Sequence, residues 1–157
     1  MLAAVKKGDV KELAELMRQN PGFKVNMALK GDQYRWTLLH LACFGGHRSA
    51  VIPFLLAHPA INVNLKDGEG WTPFYYACYN GRPSCVREML KDSSRVKVNE
   101  PDNYGITPLW RAAWNGRLDV IRVWIASGRE MDLGKPGDVD KTDAIGVAKK
   151  KGKEEVV

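Results

Sequence analysis

The sequence predicts an all-α solenoid of stacked antiparallel helix pairs, on two observations. A short segment recurs three times: WTLLHLACFGGH at 36–47, WTPFYYACYNGR at 71–82 and ITPLWRAAWNGR at 106–117. Its glycines are evenly spaced, since Gly46, Gly81 and Gly116 lie 35 residues apart. A fixed period in this range is the signature of a repeat architecture.

The repeated segment carries the start and stop signals of a short helix. In the second copy the Thr72 hydroxyl can accept a hydrogen bond from a free amide at the helix N-terminus, and Pro73 suits the first helical position, where no donor is needed. Gly81 can take the left-handed conformation that ends a helix. Each copy therefore predicts one inner helix.

The repeated segment resembles the ankyrin repeat, whose T-P-L-H-x-A signature is matched by TLLHLA at 37–42, TPFYYA at 72–77 and TPLWRA at 107–112. Leu38 replaces the family's proline. Tyr75 and Trp110 replace its histidine, which braces the turn by hydrogen bonding. The resemblance implies a single ankyrin-repeat solenoid over 1–157, all-α, with β-hairpin-like finger loops. The repeats are predicted at about 1–32 (the opening repeat), 36–67, 71–102, 106–137 and 142–157 (a partial repeat).

Outer helices are predicted between the repeated segments. Pro53 lies well past the first turn of the one at 47–57, so it is expected to bend or split that helix. In the fourth repeat, helical spacing predicts four inward side chains: Val120, Ile121, Trp124 and Ile125. Further core positions are predicted at Leu39, Leu41, Phe54, Leu55, Phe74, Tyr76, Val86, Met89, Leu90 and Leu109.

Fingers are expected at 23–35 and 134–140, and a fifth helix and the first turn of a sixth are expected in the last 14 residues. A solenoid needs a polar cap over its last core layer. Because the sequence stops within a helix, we expect either a fragment of a longer protein or a partner that covers this end. The chain is otherwise expected to be a monomer.

The composition is that of a globular domain, with 45% apolar and 27% charged residues. No apolar run is long enough to span a membrane, and the N-terminus lacks the apolar core of a signal peptide. The formal net charge is +6, but the lysines concentrate at the two ends and acids are interleaved between them. This pattern predicts solvated end faces, and nucleic acid is not expected as a partner.

The cysteine pattern predicts a reducing compartment. Cys43, Cys78 and Cys85 form no CxxC pair and leave one odd thiol, so they are interpreted as small buried apolar residues. The expected location is the cytoplasm, with the nucleus as an alternative.

No pattern in the sequence indicates catalysis. The three histidines lie at no metal-ligand spacing, and His40 falls in the motif position that braces the turn. No nucleophile elbow, phosphate-binding loop or dinucleotide fingerprint occurs. The sequence therefore predicts a chain that is not an enzyme and that has no metal and no cofactor.

Two sets of equivalent positions predict a binding surface, because the family resemblance places them on the concave face. The position two residues before the helix-stop glycine is Lys6, Phe44, Tyr79, Trp114 and, allowing one insertion, Lys149. The position before the threonine is Trp36, Trp71, Ile106 and Lys141. Tyr34, Glu69, Asn103 and Tyr104 are expected on the finger tips as a rim. The predicted partner-binding residues are Trp36, Phe44, Glu69, Trp71, Tyr79, Asn80, Tyr104, Trp114 and Asn115.

Aromatic residues at helical spacing are more often core than contact surface, so two interpretations stand. Phe44, Tyr79 and Trp114 are either surplus to a core already supplied by other positions, and partly exposed, or they pack laterally as structure. The first predicts a non-catalytic module that binds a protein or peptide with apolar residues and acidic flanks. The alternatives are a targeting segment of a larger enzyme and a binder of an anionic ligand or nucleic acid through the lysine-rich ends.

Overall fold

The computed structural model describes residues 1–133, 143–153 and 155. The helices in these residues are α1 (Leu2–Lys7), α2 (Val10–Gln19), α3 (Leu38–Phe44), a 3₁₀ helix (Gly46–Val51), α4 (Ile52–Leu56), α5 (Pro73–Tyr79), α6 (Pro83–Lys91), α7 (Pro108–Trp114), α8 (Leu118–Ser127) and α9 (Ala144–Lys150). No strand occurs within the described ranges.

The helices form two layers in chain order. The inner layer is α1, α3, α5, α7 and α9, each in contact with the next. The outer layer is α2, the 3₁₀ helix with α4, then α6 and α8. The fingers between helix pairs are tight turns, closed in the two middle repeats by a backbone hydrogen bond of 3.0 Å from Asp67 to Trp71 and from Asp102 to Ile106. The predicted all-α solenoid is confirmed.

The predicted caps are present at the inner helices. The hydroxyls of Thr37, Thr72 and Thr107 each accept a hydrogen bond from the amide three residues on, at 3.5, 3.1 and 3.3 Å. Gly81 and Gly116, just beyond α5 and α7, have left-handed φ values of 65° and 63°. The local signals in the sequence therefore fix where these helices start and stop.

The outer helix of the second repeat is split, as the proline predicts. A 3₁₀ helix runs over Gly46–Val51, and α4 starts at Ile52 with Pro53 in its first turn. There the missing amide of Pro53 leaves no helical hydrogen bond unmade.

The core lies between the two layers and contains nearly all the apolar residues predicted for it. All three cysteines are buried and free. Trp124 of α8 is fully buried, with its ring edge-on to Phe74 at 5.1 Å between centroids. Phe54 is only half-buried, and the prediction for Ile125 is wrong, since its side chain is 60% exposed. At about 100° per residue, Ile125 lies roughly 140° around the helix axis from Val120, outside the buried stripe.

Helix α9 lies where the fifth helix is predicted. The finger expected at 134–140, Lys141 and most of the expected sixth helix lie outside the described residues.

Candidate functional site

A group of aromatic side chains lies along the inner-helix layer and the finger ends. We call it the aromatic floor: Trp36, Phe44, Trp71, Tyr76, Tyr79, Trp110 and Trp114. All but two of these residues occupy positions that the repeat motif predicts for partner contact, and the exceptions are Tyr76 and Trp110.

The rings of the second and third repeats contact one another. The Trp36 ring centroid lies 4.9 Å from those of both Phe44 and Tyr76. The Trp71 centroid lies 4.9 Å from those of Tyr76 and Tyr79. Tyr76 therefore joins two aromatic clusters that belong to successive repeats, and each contact is within the range in which aromatic pairs are favourable.

Two cations continue the floor toward the C-terminal end. The Arg111 guanidinium lies 5.9 Å from the Trp71 ring centroid and 5.7 Å from that of Trp110. Trp110 stacks on Trp114 at 5.0 Å, and the Lys151 ammonium lies 3.9 Å from the Trp114 ring centroid. These cation–π contacts join the fourth repeat and the residue after α9 to the same surface.

Most of the floor is neither sealed in the core nor fully open. Phe44 is 39% exposed, and four further rings are half-buried: Trp36, Trp71, Tyr79 and Trp114. Tyr76 and Trp110 are buried. Trp36, Phe44 and Trp71 rest on the buried Tyr76 ring. Trp114 rests on the buried Trp110 ring, and Tyr79 contacts Trp71.

A buried carboxylate fixes the first part of the floor. Asp67 Oδ1 accepts hydrogen bonds from the amides of Glu69 and Trp71, both at 2.9 Å. Its Oδ2 accepts from the Trp36 indole at 3.1 Å and from the Tyr76 hydroxyl at 2.7 Å. One charged side chain therefore closes a finger turn and orients the rings of two repeats.

A second buried carboxylate repeats this arrangement with different partners. Asp102 Oδ1 accepts from the amides of Tyr104 and Ile106 at 2.9 and 3.0 Å. Its Oδ2 accepts from the Tyr75 hydroxyl at 2.8 Å and lies 3.6 Å from an Arg111 guanidinium nitrogen. The Arg111 Nε donates to the same tyrosine hydroxyl at 3.0 Å, so Arg111 is held in place between the indoles.

The tyrosine hydroxyls in these networks stay protonated. Burial raises the pKa of Tyr75 well above the ordinary tyrosine value, and Arg111 only partly opposes this. Burial and then the hydrogen bond to Asp67 raise the pKa of Tyr76 in the same way. Both residues are therefore dependable donors to the carboxylates.

His40 braces its turn as the motif implies. Its Nε2 lies 3.0 Å from the Trp71 carbonyl, and its Nδ1 lies 3.2 and 2.9 Å from the amide and hydroxyl of Thr37. Because a carbonyl can only accept, Nε2 carries the proton and Nδ1 accepts. Burial lowers the pKa of His40, which favours this neutral form.

Two family models match the chain. A model described as ankyrin repeats in three copies matches residues 52–143, more than half of the chain, and a single ankyrin-repeat model matches residues 34–68. The chain belongs to the ankyrin repeat family. No curated protein matches it significantly. Ankyrin repeats are generally protein–protein interaction modules and are typically non-catalytic.

The ankyrin-repeat structure brings most of the predicted partner-binding residues together, namely Trp36, Phe44, Trp71, Tyr79 and Trp114. Asn80 and Asn115 end the inner helices, with side-chain amides that donate to the Tyr76 and Tyr79 carbonyls at 3.0 and 3.5 Å. Glu69 and Tyr104 lie exposed on finger turns, Tyr104 at 69%. Ile106, the counterpart of the two tryptophans that precede the threonines, is buried.

Sequence reasoning missed the residues that hold the floor in place. Asp67, Asp102 and Arg111 were not singled out, and Tyr76 was predicted only as an apolar core residue. A signal was available, because Asp32, Asp67 and Asp102 are 35 residues apart.

No cluster of three or more potential metal ligands occurs in the part of the chain that the structure describes. Over the same residues, no helix has both the length and the hydrophobicity needed to cross a membrane.

Proposed function

We propose that this ankyrin-repeat protein is a non-catalytic module that binds a protein or peptide segment on its inner-helix face, with the aromatic floor as the main contact. The observation that carries the proposal is the row of half-buried rings across three successive repeats, in which the Arg111 guanidinium joins the rings of the third repeat to those of the fourth. Tryptophan, tyrosine and arginine dominate the binding energy of protein interfaces. A contiguous apolar surface of this kind usually marks an interaction site.

The rigidity of the floor supports this proposal. Ordering a side chain on binding costs about 0.5–1.5 kcal/mol. Trp36 is already fixed by Asp67 and Tyr76, and Trp71 by contacts with Tyr76 and Tyr79. A partner would therefore meet rings that have little freedom left to lose.

The polar residues around the floor supply the remaining contacts in this proposal. Glu69 and Tyr104 form the finger rim, and Asn80 and Asn115 lie at the opposite ends of the inner helices. The rings would take apolar or aromatic side chains of the partner, and the rim would fix its direction.

The test uses peptides selected by display against the wild-type protein. We expect Tyr79→Ala/Trp114→Ala to weaken their binding at least about 30-fold, since two anchor residues together contribute 2 kcal/mol or more. Quenching of intrinsic tryptophan fluorescence and peptide anisotropy give the affinities. Ile125→Ala, an apolar truncation on an outer helix, is the matched control and should leave affinity unchanged.

Two results would contradict the proposal. One is unchanged affinity in the double-alanine variant. The other is a double-alanine protein that no longer folds cooperatively, while Tyr79→Phe and Trp114→Phe, which keep an aromatic ring at each position, bind as the wild type does. That pair of results would show that both side chains serve folding and not partner binding.

We further propose that the protein works as a monomer in the cytoplasm or nucleus. Three buried free thiols suit a reducing compartment. Light scattering after size exclusion and imaging of the tagged protein test the two statements separately.

A further inference from the structure

A row of arginines lies where the inner helices end, next to the aromatic floor. We call Arg48, Arg82 and Arg117 the arginine row. Each guanidinium Nε donates to a carbonyl near the end of the inner helix of the preceding repeat. The acceptors are the carbonyls of Lys6 at 3.1 Å, Phe44 at 3.1 Å and Tyr79 at 3.0 Å. The row and the floor are therefore in register, because two of these carbonyls belong to floor residues.

The row is closely seated against the helix ends. A Cβ on Gly81 would lie 2.7 Å from the Arg117 side-chain Cδ, so any larger residue there would displace the arginine stem. In the second repeat the arginine comes one residue later than in the others, after His47, whose Nε2 also lies 3.1 Å from the Lys6 carbonyl. Each of the three repeats thus places one guanidinium at the same edge.

No acid that the structure describes pairs with the arginine row. None of its three members forms an ion pair within the described residues, in contrast to Arg111, which faces Asp102. Asp119 and Glu155 line a hollow with Arg117, but neither forms an ion pair with it. The helix-end carbonyls offset only part of the positive charge. The terminal nitrogens of Arg82 and Arg117 make no hydrogen bond in the described part of the chain.

We propose that the arginine row binds the carboxylates of an acidic peptide segment that lies along the aromatic floor in the polyproline II conformation, with an acidic residue at every third position. This inference rests on the proposed peptide-binding function and specifies its ligand. Guanidinium groups are suited to carboxylates because they donate two parallel hydrogen bonds.

The spacing selects the conformation. Neighbouring helices pack about 8–10 Å apart, which sets the distance from one arginine to the next. A polyproline II segment advances about 3.1 Å per residue with three residues per turn, so every third side chain returns to the same side after about 9.3 Å. A β-strand puts residues i and i+3 on opposite faces, so it cannot present carboxylates to successive arginines in this way. The two residues between the acids face the aromatic rings.

The test uses three labelled 12-residue peptides built from glutamate, proline and phenylalanine. One has glutamate at every third position, one has the same composition with the glutamates grouped at one end, and one has glutamine in place of glutamate. Anisotropy against the wild type should show tightest binding for the first peptide. Arg82→Gln/Arg117→Gln should weaken that binding about tenfold and remove the preference, because each exposed charge pair contributes a factor of up to about five.

The chain offers a matched control. Arg87 and Arg122 are also 35 residues apart, but they are exposed on the outer helices. Arg87→Gln/Arg122→Gln removes the same net charge and should change binding less than twofold. Arg82→Lys/Arg117→Lys keeps the charge but not the two parallel hydrogen bonds, so its affinity should fall between those of the wild type and the glutamine variant. Thermal melts of every variant separate a loss of binding from a loss of folding.

The inference is overturned if no glutamate peptide binds, if the grouped peptide binds as well as the spaced one, or if the row variant loses no more affinity than the control. If the glutamine peptide still binds and this binding needs Tyr79 and Trp114, the proposed function would hold while the acidic-ligand inference fails. Arginine-dependent binding that is unaffected by Tyr79→Ala/Trp114→Ala would refute the floor as the contact surface. Tighter binding of a thymidine oligonucleotide than of any peptide would assign the row to nucleic acid and also overturn the inference.

Discussion

Replacing Tyr75 by phenylalanine tests the buried network that holds the floor. The change removes only the hydroxyl, which is 2.8 Å from Asp102 Oδ2 and 3.0 Å from Arg111 Nε. Asp102 would then keep its two amide donors and an Arg111 nitrogen at 3.6 Å, too long for a good hydrogen bond.

The expected cost follows from what the hydroxyl contacts. A hydrogen bond to a charged group contributes about 1.5–3 kcal/mol, and this carboxylate is fully buried. For a chain of this length, that loss lowers the melting temperature by roughly 3–12 °C. The phenyl ring stays in place, so almost no packing is lost.

Urea unfolding followed by circular dichroism at 222 nm measures the loss. Tyr79→Phe is the control, because no hydrogen bond to the Tyr79 hydroxyl occurs in the described part of the chain, and it should cost less than about 0.5 kcal/mol. A double-mutant cycle with Asp102→Asn should give a coupling energy of about 1 kcal/mol or more. Additive effects, or a Tyr75→Phe cost no larger than that of the control, would refute the role given to the hydroxyl.

Three further predictions concern stability. Burial lowers the pKa of His40, so the unfolded chain takes up a proton that the folded chain resists. The stability that neutral His40 contributes is therefore complete above about pH 6.5 and is lost as the pH falls below that value. Urea midpoints from pH 7.5 to 5.5 should fall less steeply in His40→Gln, and parallel slopes would contradict this. Trp124→Phe should cost less than about 1.5 kcal/mol, against about 3–5 for Trp124→Ala, because the buried indole N–H has no hydrogen-bond partner among the described residues and phenylalanine removes it. Equal costs of the two variants in denaturant would count against that reason. Gly116→Ala should cost about 1–2 kcal/mol because φ is 63°, whereas Gly22→Ala, in open space, should cost little; calorimetry that finds the two alike would be inconsistent with strain.

The fold was predictable because its signals are local and repeated. A threonine, the following helix and a glycine specify each inner helix through its own caps, and the 35-residue period then implies stacking. Pro53 could be interpreted in the same local way. The exposure of Ile125 could not be predicted, because this residue lies at the edge of the buried stripe, where a small rotation around the helix axis decides whether a side chain is covered.

The candidate site was predictable in its aromatic members and not in what positions them. Trp71 and Tyr79 stand out because equivalent positions in neighbouring repeats are also large. Asp67 and Asp102, by contrast, resemble ordinary turn formers in the sequence, and their second carboxylate oxygen finds partners only after neighbouring repeats stack. Such partners differ between repeats, so no single motif describes them.

The different braces make the order of the repeats matter. His40 bonds to the Trp71 backbone carbonyl, an atom that any following unit provides. Tyr75 and Asp102 both belong to the repeat at 71–102, and they hold the Arg111 side chain of the next repeat, which only a unit with an arginine at that position provides. Gene duplication or shuffling could therefore place almost any repeat after the one that contains His40, whereas the repeat that contains Tyr75 constrains which repeat can follow it. Which repeat can follow which in this array therefore depends on their order and on single side chains.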